Sequence, residues 1–175
     1  MKKWTGVLAI SFLVTMLLSS FMMKEESDAE TTTGALEWHT SLQKAHDLSA
    51  KTGKPIFGFF TGSDWCGWCI KLQKEVFAKP EFIAWAKENV ILLELDFPKR
   101  TPQSDELKAQ NRNLQQAFKV RGYPTVWLFH SKKNATTGNF ELAGLGSLGY
   151  PSGAEKGKEE VKFLATANAI LATKK

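Results

Sequence analysis

Hydrophobic and polar positions along the chain alternate between two kinds of pattern. Short apolar runs predict buried strands, and apolar residues about three or four positions apart predict amphipathic helices. Strands are predicted at residues 55–60, 90–96, 126–130 and 139–142. Helices are predicted at residues 36–52, 66–77, from residue 80 onward, 104–118 and 159–172. Strands that alternate with helices favour an α/β protein, and the short turn between the last two strands makes that pair antiparallel and the sheet mixed.

Several local features of this pattern are specific enough to compare with a structure. Residues 144–157 are rich in Gly and Ser, which predicts a loop. His39 and His46 lie seven positions apart in the first predicted helix, so they share a face that we expect at the surface. Ser104 is a candidate N-cap for its helix, and Gly53 is a candidate helix stop. The last helix carries these apolar residues: Val161, Leu164, Ala165 and Ile170.

The N-terminal segment has the features of an export signal. Lys2 and Lys3 precede an uncharged, mostly apolar stretch at residues 7–23, and residues 27–29 offer a small-x-small cleavage site. We therefore predict a signal peptide, or an uncleaved membrane anchor, at residues 1–29. Residues 30–35 are predicted to be a linker, and residues 36–175 a single domain in an exported, periplasmic protein.

Composition and charge exclude little but set the broad class. The apolar fraction of 43% is that of a globular protein with a real core. The formal net charge is +5, yet Lys and Arg are scattered, and no run of five basic residues occurs. A nucleic-acid partner is therefore not expected, and the expected state is a monomer.

The chemistry is expected at Cys66 and Cys69, the only two cysteines of the chain. Residues three apart on a helix share a face, so their Cα atoms fall within disulfide range. A four-residue ring holds little loop entropy, so a role in stability is weak and a chemical role is indicated. A helix N-terminus favours a thiolate, so Cys66 is predicted to be the exposed nucleophile with a lowered pKa. Cys69, one turn further, is predicted to be the more buried resolving thiol.

The residues around the pair fit a protein substrate better than a metal. Gly67 leaves space for a partner disulfide, and Trp65 and Trp68 provide apolar flanks. A zinc site would need two further ligands, and the three histidines of the chain show no suitable spacing. A pair of inert core cysteines is the other alternative, which the flanking tryptophans disfavour. No metal or organic cofactor is expected.

Two motifs together resemble the thioredoxin superfamily. Residues 65–69, WCGWC, resemble the W-C-G-x-C site of thioredoxins and protein disulfide isomerases, and residues 120–125, VRGYPT, resemble the segment with the superfamily's cis-proline. The resemblance implies a thioredoxin fold with a central mixed sheet of about four to five strands. It also implies that Pro124 faces the cysteine pair and that Tyr123 offers backbone hydrogen bonds to substrate. Residues 61–65, with Lys71 and Glu75, further resemble exported bacterial thioredoxin-like proteins.

One departure from the thioredoxin pattern concerns proton transfer. Thioredoxins have a buried Asp on the strand before the active site, whereas residues 56–60 read IFGFF and contain no carboxylate. Either a water does this work, or Glu94 or Asp96 on the next strand substitutes. Glu94 is the candidate proton acceptor, although both carboxylates are also compatible with purely structural positions.

These features predict an exported thiol–disulfide oxidoreductase that acts on protein thiols and disulfides as a reductase or isomerase. Such a protein needs electrons from a membrane thiol reductant, which is its expected partner. The alternative is a redox-inert thioredoxin-fold module that holds extended peptides on its tryptophan-rich surface.

Overall fold

The computed structural model describes residues 36–173 of the chain. The predicted signal peptide or anchor at residues 1–29 and the predicted linker at residues 30–35 lie outside the described residues. Within residues 36–173, no helix combines the length and the apolar character that crossing a membrane requires.

The centre of the fold is a mixed five-stranded sheet with the strand order β1-β3-β2-β4-β5. β3 pairs in parallel with both β1 and β2, whereas β4 is antiparallel to β2 and to β5. The strands are β1 (Trp38–His39), β2 (Ile56–Thr61), β3 (Ile91–Asp96), β4 (Thr125–Lys133) and β5 (Phe140–Leu148). The expected mixed α/β sheet is confirmed.

Within residues 36–173, five helices cover the two faces of the sheet. They are α1 (Leu42–Thr52), α2 (Gly67–Leu72), α3 (Pro80–Asn89), α4 (Asp105–Ala117) and α5 (Glu159–Ala172). A π-helical turn, Gln73–Phe77, continues α2. Ser104 caps α4 by accepting the Leu107 N–H at 3.2 Å, and Gly53 ends α1 with a φ of 74°. Both of these boundary predictions are confirmed.

Two apolar cores lie on opposite faces of β2 because successive side chains of a strand point to opposite sides. Phe57 and Phe59 belong to the core that contains both cysteines, Phe77 of the π-turn and Phe163 of α5. The opposite core lies under α1 and α4 and includes Ile56, Phe60, Leu93, Leu114 and Phe118. The sheet is therefore buried on both faces, and β2 consists entirely of buried residues.

The topology brings three chain segments to one edge of the sheet. β2 and β3 end at this edge because they are parallel, with Thr61 opposite Asp96. β4 begins at the same edge because it is antiparallel to β2, with Thr125 opposite Phe60. The loop before α2, the loop after β3 and the segment that precedes β4 therefore meet.

The N-terminal part of the domain differs from the sequence prediction. The first helix begins at Leu42 rather than residue 36, because Ser41 caps it by accepting the Lys44 N–H at 3.3 Å. The residues before it form β1, which pairs with β3. His39 is consequently a strand residue that is 7% exposed, so the predicted surface position on a shared helix face is wrong.

The C-terminal part also differs. Residues 144–148, predicted as loop, continue β5 to Leu148. A glycine fits in this part of the strand because a neighbouring side chain occupies the space that a Cβ would need. A Cβ on Gly144 would lie 2.9 Å from the Trp127 ring. In α5, Val161 is 57% exposed, and the buried residues are Glu160, Phe163 and Ala167. Of the apolar residues named from the sequence, Leu164 and Ile170 pack against the core, whereas Val161 and Ala165 are exposed.

Candidate active site

Cys66 and Cys69 form a disulfide at the start of α2, and their Cα atoms are 5.2 Å apart. Cys66 is the N-cap of the helix, and its sulfur accepts the Cys69 N–H at 3.2 Å. Cys69 is completely buried, whereas Cys66 is 6% exposed. The expected order of exposure holds, but the prediction that Cys66 is well exposed is wrong for the disulfide form. The reason is that its sulfur turns inward to the Cys69 sulfur and N–H.

The loop before the pair is fixed by the carboxylate of Asp64. This carboxylate accepts the backbone N–H groups of Lys99, Arg100 and Thr101 at 2.9, 2.7 and 3.0 Å. These bonds, led by the one from Lys99, lower the pKa of Asp64 to about 2. The loop after β3 is thereby tied to the residue two positions before Cys66.

A second carboxylate supports the same loop from β3. Asp96 accepts the Ser63 N–H at 2.8 Å and the Ser63 hydroxyl at 2.6 Å. Both oxygens of Asp96 are thus engaged in structural hydrogen bonds. This geometry favours a loop-positioning role for Asp96 over the alternative of a proton acceptor.

Trp65 lies against the segment that precedes β4. Its indole N–H donates to the Phe97 carbonyl at 2.8 Å, and its ring packs edge-on against Tyr123 at 5.8 Å. Lys99 places its ammonium 4.2 Å from the centre of the Trp65 ring. Gly62 is required beneath this ring, since a Cβ there would lie 2.4 Å from it. Trp65 nevertheless remains 41% exposed.

Trp68 has a matching arrangement on the other side of the pair. Its ring packs edge-on against Tyr150 at 4.9 Å, and the Lys71 ammonium lies 5.0 Å from the centre of each ring. The Tyr150 hydroxyl donates to Glu75, a bond that raises the pKa of Tyr150. Trp68 is 57% exposed. Sequence reasoning missed Tyr150, because it lies 75 positions from Glu75 and only the tertiary fold joins them.

Tyr123 and Pro124 stand next to this edge, as the topology requires. The Tyr123–Pro124 peptide bond is cis. Tyr123 packs against the core that contains both cysteines, and its hydroxyl accepts from the Gln115 side chain at 2.7 Å. Burial raises the pKa of Tyr123. Gly67 is exposed, with no atom within 4 Å of where its Cβ would be, so the surface above the pair is open.

Glu94 lies on the same face of the sheet as the cysteine pair, since it is the register partner of Phe59. Burial raises the pKa of Glu94, and the nearby Asp96 carboxylate raises it further. Glu94 lines an open cleft of about 540 Å³ together with Trp38 of β1, Phe59 of β2 and Phe77 of the π-helical turn, but neither cysteine lines that cleft. The cleft therefore does not join Glu94 to Cys69.

The histidines lie apart from the pair. His39 approaches Glu37 at 3.6 Å, and His46 shares a hydrogen bond of 2.9 Å with the Ser131 hydroxyl and packs against Phe140. His130 is an exposed residue of β4. Across residues 36–173, no group of three His, Cys, Asp or Glu side chains is arranged to hold a metal ion.

This fold, with a disulfide-forming pair at the start of α2 and a proline segment beside it, is that of a thioredoxin-like protein. The chain belongs to the thioredoxin-like domain family, which matches residues 42–141.

Two curated relatives and one solved structure are informative. The chain is 30% identical over 148 residues to the thioredoxin-related protein DsbJ of Chlamydia pneumoniae, covering 85% of this chain and 41% of DsbJ. It is 40% identical over 91 residues to the disulfide bond reductase DsbH of the same organism, covering 52% of this chain and 54% of DsbH. The chain thus spans about half the length of these curated relatives. A solved structure of a DsbH oxidoreductase matches with 30% identity and a TM-score of 0.64, covering 78% of this chain and 85% of that one.

Proposed function

We propose that the protein is an exported thiol–disulfide oxidoreductase that acts on protein disulfides. The observation that supports this most strongly is the Cys66–Cys69 disulfide at the first turn of α2, with one sulfur at the helix N-cap and the other fully buried. The reductase named among the relatives supports the same class of reaction.

In the proposed reaction the reduced pair attacks a substrate disulfide. The Cys66 thiolate forms a bond to one substrate sulfur, and the substrate disulfide breaks as the other sulfur leaves as a thiolate and takes up a proton. Cys69 then loses its proton and attacks the Cys66 sulfur, which releases the second substrate sulfur as a thiol. The substrate gains two electrons, and the Cys66–Cys69 pair is oxidised to its disulfide. An isomerase would instead let a second substrate thiol resolve the mixed disulfide.

The neighbouring residues have proposed roles in this cycle. Trp65, Gly67 and Trp68 form the exposed surface on which the substrate rests, and Tyr123 offers backbone hydrogen bonds beside Pro124. The helix N-terminus and the Cys69 N–H stabilise negative charge on the Cys66 sulfur. Glu94 is proposed to accept the Cys69 proton, because it lies on the same face of the sheet as the pair and its raised pKa suits a group that must take up and return protons.

The direction we propose is reduction or isomerisation. Gly67 and Trp68 separate the cysteines, and neither brings a positive charge that would stabilise the reduced form strongly. The potentials of this kind of protein range from about −270 mV in thioredoxin to about −120 mV in a strong oxidant, and we place this pair nearer the middle or the reducing end. A reductase outside the cytoplasm depends on a membrane thiol reductant, and we propose this as the partner of a monomeric domain at residues 36–175.

A redox-inert module for extended peptides is the second candidate. The exposure of Trp65 and Trp68 favours it, because exposed aromatic residues are typical of peptide-binding surfaces. The oxidoreductase must cycle between two free thiols and a disulfide during the reaction, whereas the peptide-binding module need not.

The test uses the full chain with insulin as the disulfide substrate and dithiothreitol as the electron source. We expect catalytic insulin reduction, with two thiols titratable in the reduced protein and none after insulin is added in excess. Cys66→Ser should abolish turnover. A pair that stays oxidised in dithiothreitol, or turnover that survives Cys66→Ser, would contradict the proposal.

A further inference from the structure

The two tryptophans beside the cysteine pair differ in the charge that accompanies them. Lys71, at Trp68, has the Glu75 carboxylate 3.9 Å away, so its charge is partly balanced. Lys99, at Trp65, has no carboxylate within ion-pair distance among residues 36–173. Its ammonium is held over the exposed Trp65 ring.

The carboxylates of the two segments beside Trp65 already accept hydrogen bonds from within the protein. Asp64 binds the three backbone N–H groups of residues 99–101, and Asp96 binds Ser63 with both oxygens. Among residues 36–173, the Lys99 ammonium therefore has no ion-pair partner, and it lies over the exposed ring of Trp65, the residue that precedes Cys66.

We propose that Lys99 and Trp65 form a specificity site that favours substrate segments with an acidic side chain beside the reacting cysteine. This inference rests on the proposed function. Trp65 directly precedes Cys66, so a segment whose sulfur reaches Cys66 also crosses the Trp65 ring. An extended peptide advances about 3.3 Å per residue, which places the first or second neighbour of the substrate cysteine near the ring and the ammonium. A carboxylate there pairs with Lys99, while the chain of the same residue covers the indole.

The experiment compares three synthetic peptides that contain a disulfide and differ only in the residue beside the cysteine: Glu, Gln or Lys. The full chain is reduced, freed of reductant and mixed with each peptide, and the second-order rate constant is measured. Each rate constant is divided by the rate constant for reduction of the same peptide by dithiothreitol. This normalisation is needed because the neighbouring charge also alters the peptide's own reactivity toward a thiolate. An exposed charge pair predicts that the Glu peptide reacts about two- to fivefold faster than the Gln peptide, and that the Lys peptide is slowest.

Matched variants assign the effect to one residue. Lys99→Gln should remove the preference for the Glu peptide, and Lys99→Arg should keep it. Lys132→Gln, which removes the same charge at the end of β4 away from Pro124, should leave the preference unchanged. The readout is a ratio of rates from one preparation, so any misfolded fraction cancels. Raising the NaCl concentration from 50 to 500 mM should reduce the preference, because exposed charges are screened.

The outcomes separate this inference from the proposed function. Equal normalised rates with all three peptides, or a Glu preference that survives Lys99→Gln, would overturn the specificity site and leave the oxidoreductase intact. Failure to reduce any of the three peptides would overturn the oxidoreductase itself.

Discussion

Reduction of the Cys66–Cys69 disulfide should destabilise the fold slightly. The size of this effect shows whether the protein is suited to reduce or to oxidise its substrates. The cysteines are three positions apart. For a closed ring of about four residues, the chain-entropy relation gives about 6 cal/mol/K, or about 1.9 kcal/mol at 25 °C, in favour of the oxidised form.

Interactions that stabilise the reduced form oppose this entropic stabilisation of the oxidised form. A thiolate at a helix N-terminus gains about 0.3–1 kcal/mol. The Cys69 N–H already reaches the Cys66 sulfur in the disulfide form, so reduction adds little from this bond. We therefore expect the oxidised form to be more stable by about 1–2 kcal/mol. At about 30 mV per 1.4 kcal/mol, the folded pair is then about 20–40 mV more reducing than the same pair in the unfolded chain.

Urea denaturation of both forms at pH 7, followed by tryptophan fluorescence, measures this difference. The reduced form is kept in excess dithiothreitol, and the Cys66→Ser/Cys69→Ser double variant shows whether dithiothreitol itself shifts the transition. A reduced form more stable than the oxidised form would refute the reasoning, because it is the signature of an oxidant.

Three further predictions follow from the site and the core. In single-cysteine variants at pH 7, iodoacetamide should modify Cys66 at least about tenfold faster than Cys69, which is fully buried; equal rates would remove the assigned roles. Asp64→Asn should lower the melting temperature most near pH 6 and progressively less toward pH 2, because a carboxyl whose pKa is lowered to about 2 stabilises the fold above its unfolded pKa and loses that contribution on acidification. A difference in melting temperature between Asp64→Asn and the parent that does not change with pH would contradict this. Phe57→Ala should cost about 3–5 kcal/mol in urea denaturation, since Phe57 is fully buried among five aromatic rings; a loss below about 1 kcal/mol would show that the core is not packed as described.

The sequence was sufficient for the parts of the site that are local in the chain. The spacing of Cys66 and Cys69 places both sulfurs on the first turn of a helix, and this follows from helix geometry alone. The strands β2 and β3 were predicted nearly to the residue, because buried strands are continuous apolar runs.

What the sequence could not show depends on contacts between distant segments. β1 is only two residues long and is defined by pairing with β3 rather than by its own pattern. Gly146 fits a strand only because Ile170 of α5 packs against it, 2.9 Å from where a Cβ would be. Tyr150 joins the site only because the loop after β5 returns to α2. For β1 and Gly146 the local composition predicted a different structure, and for Tyr150 it predicted the loop but not the contact with Trp68.

The most direct test of the central claim is to trap its substrates. The full chain with Cys69→Ser, expressed with its own N-terminal segment, can form the mixed disulfide through Cys66 but cannot resolve it. We predict that cells treated with an alkylating agent contain complexes between this variant and exported proteins, which dithiothreitol separates, and that the double-serine variant forms none. If the Cys69→Ser variant forms no such complexes, or forms the same ones without Cys66, the protein is not a thiol–disulfide oxidoreductase of exported proteins.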